Sequence, residues 1–161
     1  MGEILTPRLF LGADGVLLAP DPPYDPVRPF DFNRNFAPEV VRRLVATGAE
    51  LVLVDTDEHL ARALPDCIEE LADARMLSQG NYRHHGEHGV RWLADAIVGD
   101  LHDRQAPFMW VSSRINPEER VLIRREFGSL DHVAMPTDPA YGIGHNQLAS
   151  IERFAAKHTV R

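Results

Sequence analysis

Four short apolar runs constrain this chain more than any other feature. RLFLGA (8–13), ELVLVD (50–55), PFMWVS (107–112) and DHVAMP (131–136) are strand-length and show no polar alternation. Such runs fit strands that are covered on both faces. Stretches with helical spacing lie between them. APEVVRRLVATG (37–48) places Pro38 in its first turn, Val40, Val41, Leu44 and Val45 on one face, and Gly48 at its stop. DEHLARALPD (57–66) and CIEELADARML (67–77) read as helical segments around Pro65. VRWLADAIVGDLHDR (90–104) aligns Val90, Leu93, Ile97 and Leu101. NPEERVLIRREFG (116–128) has Asn116 as its N-cap, Pro117 at its first position and Gly128 at its stop. HNQLASIERFAAKH (145–158) turns Leu148, Ile151 and Phe154 inward. Strands alternating with helices predict one doubly wound, mostly parallel α/β sheet with helices on both faces.

A length of 161 residues suits a single domain spanning 1–161. Five of the twelve prolines fall in PDPPYDPVRPFDF (20–32), which reads as an extended loop within the domain, over about 20–36. Its aromatic residues, Tyr24, Phe30, Phe32 and Phe36, either fold back over the sheet or offer a surface to a protein partner. The net charge of −7 opposes a general nucleic-acid binder. No apolar run approaches the roughly 20 residues that span a bilayer. Cys67 is the only cysteine, so no internal disulfide can form, which fits a cytoplasmic location. Lys157 is the only lysine among seventeen basic residues. Almost every candidate site must therefore work without lysine.

Open α/β sheets bind ligands beyond the C-terminal ends of their strands. That rule selects Gly12–Asp14, Asp55–Asp57, Ser112–Arg114 and Met135–Asp138. Asp14, before Gly15, reads as a turn former or as a carboxylate in a pocket. Asp55 and Asp57 flank Thr56, as a strand-end acid and a helix cap, or as a carboxylate cluster with Asp14. Thr56, Ser112, Ser113 and Arg114 have the hydroxyls and the guanidinium to hold a small anion. YRHHGEHG (82–89) brings three histidines close together but lacks the His-Glu-x-x-His spacing of a zinc protease. It reads as a polar loop that changes charge near neutral pH. Trp92 and Trp110 read as core residues.

The order of these elements resembles the haloacid dehalogenase (HAD) superfamily, in its small capless form. LFLGADGVL (9–17) resembles the first motif, an apolar strand followed by Asp-x-Asp-Gly. TGAELVLVDTDEHLARAL (47–64), APFMWVSS (106–113) and TDPAYGIGHNQLASIERFA (137–155) resemble the later segments. The resemblance implies a phosphatase ancestry. In that mechanism a first-strand Asp attacks phosphorus, a second Asp serves as acid and base, and acids after the fourth strand help hold magnesium. Here the nucleophile position is Gly12, the acid/base position is Asp14, and the phosphoryl-holding position is Thr56. The metal-acid positions are Ser112 and Ser113. Without nucleophile or metal acids, the expected function is non-catalytic: a pseudoenzyme that needs no cofactor and binds a protein partner or a small anionic ligand through Asp14, Asp55, Thr56, Ser112, Ser113 and Arg114. The alternative is a hydrolase with a rebuilt site, in which Asp14 and Asp55 or Asp57 hold magnesium. A third possibility is a subunit of a larger assembly.

Overall fold

The computed structural model describes residues 5–13, 15–17, 38–54, 64–65, 68–77, 92–138 and 142–159. Within these residues the strands are β1 (Arg8–Leu11), β2 (Glu50–Leu53), β3 (Arg75–Met76), β4 (Phe108–Ser112) and β5 (His132–Pro136). The helices are α1 (Pro38–Ala46), α2 (Trp92–Asp103), α3 (Pro117–Phe127) and α4 (His145–His158). The five strands form one sheet in the order β3-β2-β1-β4-β5. Every pairing is parallel. The fold is thus a single α/β sheet of Rossmann-like arrangement.

Side-chain alternation along the strands divides the core into two layers. Leu9, Leu11, Leu51, Leu53, Met109 and Val111 point to one face, where Val41 and Leu44 of α1 and Leu148 and Ile151 of α4 cover them. Phe10, Val52, Phe108 and Trp110 point to the other, against Leu93, Ile97 and Leu101 of α2 and Ile123 and Phe127 of α3. Phe108 meets Phe10 edge-on at 5.9 Å and Phe127 edge-on at 6.1 Å, an arrangement that aromatic quadrupoles favour. β1, β2 and β4 are apolar on both faces because helices cover both.

The observed elements correct the expected ones in two places. CIEELADARML was expected to be helical. Instead, Glu69–Leu71 make one 3₁₀ turn and Arg75–Met76 form β3. Pairing decides this: Arg75 and Met76 lie beside Val52 and Leu53 of β2, and Leu77 N–H donates to the Leu53 carbonyl at 2.9 Å. Tertiary contact overrides local helix preference. Second, Val45 does not share the buried face of α1. It is 42% exposed, while Val41 and Leu44 are buried. Gly128 ends α3 as expected, with ordinary right-handed torsions. At the end of α1, by contrast, Gly48 has φ +78°, which glycine adopts without strain.

The start of α3 is built as its sequence predicts. Asn116 accepts the Glu119 N–H at 2.8 Å, and Pro117 follows it. The Glu119 side chain reaches back to the Asn116 N–H at 3.5 Å, which completes a capping box. Asn116→Ala is expected to lower stability by about 1–2 kcal/mol and Asn116→Asp by much less, as read by urea denaturation.

The N-terminal edge of the sheet is tied by charge. Arg8 is 2% exposed, yet it begins β1 directly beside Glu50, which begins β2. Its guanidinium donates to Glu50 at 3.3 Å and to the Asp100 carboxylate of α2 at 3.2 Å. Arg75 donates to both oxygens of Asp100, at 2.6 and 3.0 Å, and to Glu50 at 2.5 Å. Arg104 adds a third guanidinium on Glu50 at 2.6 Å. The same carboxylates act differently on two arginines. Burial pulls the pKa of Arg8 down despite Asp100 and Glu50. Arg75 is more exposed, so its hydrogen bonds to Asp100 outweigh desolvation and push its pKa up. At β5, Lys157 and His158 from the end of α4 hold Asp131 at 2.7 and 2.8 Å.

Candidate functional site

The chain moves from β1 outward through β2 to β3, then crosses back to lay β4 on the other side of β1. The order reverses between β1 and β4, and open α/β sheets bind ligands in the crevice at the C-terminal strand ends of such a reversal. Gly12 and Ala13 leave β1 there, and Ser112, Ser113 and Arg114 leave β4. Three of the four strand ends selected from sequence are contiguous. Gly12 N–H donates to the Val111 carbonyl at 2.9 Å, which continues the β1–β4 ladder past the last strand residue. Thr137 N–H donates to the Ser112 carbonyl at 3.0 Å. The buried Thr137 hydroxyl donates to the Gly15 carbonyl at 2.8 Å, which closes the turn after β1 onto the end of β5. Gly15 has φ +71°, so this turn requires glycine.

Ser112 is 4% exposed, and its Oγ accepts the Arg114 N–H at 3.1 Å. Ser113 is half-buried and Arg114 exposed. Asp14, Asp55, Thr56 and Asp57 lie outside the described residues, as do the 82–89 histidine segment, the 20–36 loop and Cys67. The side chain of Trp92 lies outside them too, whereas Trp110 is fully buried in the core.

The end of β4 does not fit magnesium. A hard divalent cation is held by carboxylate, carbonyl and water oxygens. At this strand end stand two neutral hydroxyls, of which the buried one already serves the Arg114 N–H. Among the described residues, no group of three His, Cys, Asp or Glu side chains could hold a metal ion. Gly12 has no side chain with which to attack or to ligate. The described residues here offer groups suited to holding a ligand. Arg114 supplies positive charge, the serines supply hydroxyls, and the neighbouring amides at Gly12 and Thr137 are committed to the sheet.

Sequence reasoning missed one group beside this end of the sheet. Glu119, in the first turn of α3, is 1% exposed. Burial is the chief reason its carboxyl is pushed up to about 7, with a smaller push from Asp95; the Asn116 and Ala94 amides pull the other way. The signal was present in the Asn116-x-x-Glu119 spacing of a capping box.

Comparison with protein-family models, with curated proteins and with solved structures finds no match. Among the described residues, no helix is long and apolar enough to cross a membrane.

Proposed function

We propose that this is a HAD-like domain without the phosphatase mechanism, which uses the crevice between β1 and β4 to hold a small anionic ligand. One observation carries this reading. The strand order reverses at Gly12–Ala13 and Ser112–Arg114, and these residues bring hydroxyls and a guanidinium but no carboxylate. An anion is held there by Arg114 with the help of Ser113. It is not attacked, because the nucleophile position is Gly12. A small ligand fits better than a protein partner on the described surface. Its exposed large apolar side chains, Val45, Val121 and Val133, sit on three different elements, α1, α3 and β5, rather than forming a patch.

Thermal-shift measurements with phosphate, nucleoside monophosphates and sugar phosphates test this. A binder at about 100 times its Kd contributes about 2.7 kcal/mol of stability. That corresponds to a rise of roughly 5–10 °C in a domain of this size. The rise is expected to shrink in Arg114→Ala and in high salt. No rise across the panel overturns the reading. Hydrolysis of a phosphate ester with magnesium in the parent chain, lost in Asp14→Ala, would establish the rebuilt-hydrolase alternative instead.

A further inference from the structure

Glu119 is a buried acid with no counter-charge among the described residues. Helices α2 and α3 pack side by side on one face of the sheet, and the carboxyl sits where their first turns meet. Its Oε2 has no hydrogen-bond partner among the described residues, and its contact with the Asn116 N–H is long at 3.5 Å. From α2, the Ala94 amide favours its ionisation and the Asp95 carboxylate opposes it. On this face β4 presents Phe108, Trp110 and Ser112, none of them charged. No described arginine, lysine or histidine forms an ion pair with it. Its neighbours on α3, Glu118 and Arg120, are exposed and half-buried.

We propose that Glu119 makes the meeting point of α2 and α3 a proton-operated joint, closed while the carboxyl is neutral and loosened when it ionises. An ionised carboxylate at this depth is cut off from bulk solvent and has no cation beside it among the described residues, so the structure relieves it by admitting water between the two helix starts. The proton leaves to bulk solvent. Residues 113–116 link β4 to α3, so the loosening reaches one wall of the crevice.

The folded carboxyl titrates above its ordinary 4.5. The stability it supports is therefore complete below pH 4.5 and is lost as pH rises through about 7. The experiment compares the full chain with Glu119→Gln by calorimetry between pH 5 and 8.5. The melting points are expected to lie close together at pH 5. By pH 8.5 the variant is expected to melt roughly 5–10 °C above the parent. Amide protection at Ala94 and Glu119, corrected for intrinsic exchange, is expected to fall about tenfold in the parent over that range and to stay level in the variant. Parallel melting curves, or unchanged protection in the parent, overturn the proposal. The ¹³C shift of the Glu119 carboxyl provides a reading that needs no variant. A midpoint near 7 supports the joint, and one near the ordinary 4.5 overturns it.

Discussion

Asp100→Ala is expected to destabilise the fold by about 3–5 kcal/mol, the loss typical of removing one partner from a buried ion pair. Asp100 contacts Arg8, which lies under the sheet edge with almost no access to water. Removing the carboxylate strands a buried guanidinium, whose remaining anion, Glu50, is shared with Arg75 and Arg104. Arg75 loses two bonds as well, but water can replace them because its side chain is 43% exposed. The cost should therefore track Arg8. The double variant Arg8→Met with Asp100→Leu removes the stranded charge and is expected to recover most of the loss. Urea denaturation of the two single variants and the double variant measures the coupling. A loss under about 1 kcal/mol in Asp100→Ala would mean that Arg8 is solvated in solution.

Trp110 offers the second large effect, and a contrast within one side chain. It is the largest fully buried side chain among the described residues, on β4 beneath the α2–α3 layer. Trp110→Ala is expected to cost about 3–5 kcal/mol through lost burial and an unfilled cavity. Trp110→Phe should cost far less, within about 1 kcal/mol of the parent. The indole N–H has no hydrogen-bond partner among the described residues, so its removal offsets part of the lost volume. Equal losses in the two variants would show that the N–H is bonded in solution.

The doubly wound fold was legible because β1, β2 and β4 are apolar on both faces and glycine or proline marks several helix ends. β3 was not legible. Two residues carry no periodicity, and what makes Arg75–Met76 a strand is β2 beside it. Of the candidate site, Gly12 and Ser112–Arg114 could be found because a strand-end rule needs only strand positions. The Thr137 segment was found the same way. The roles of Arg8 and Glu119 were hidden for a different reason. Arg8 is an ordinary first residue of a strand until Glu50 and Asp100, 42 and 92 positions away, are brought to it. Glu119 looks like a solvated cap partner until α2 packs over it. Burial of a charge depends on the whole fold, and local spacing does not encode it.

The outermost strands bear on how copies of this chain meet at high concentration. β3 offers only two residues for pairing. In β5, the Asp131 carbonyl and the Thr137 N–H both point toward β4, so the backbone of Pro136 points outward. Proline has no N–H to donate there. Among the described residues, a foreign strand arriving at either margin of the sheet would find few consecutive donors and acceptors to zip onto. Edges with so few open pairing groups are poor templates for open-ended, fibre-like growth.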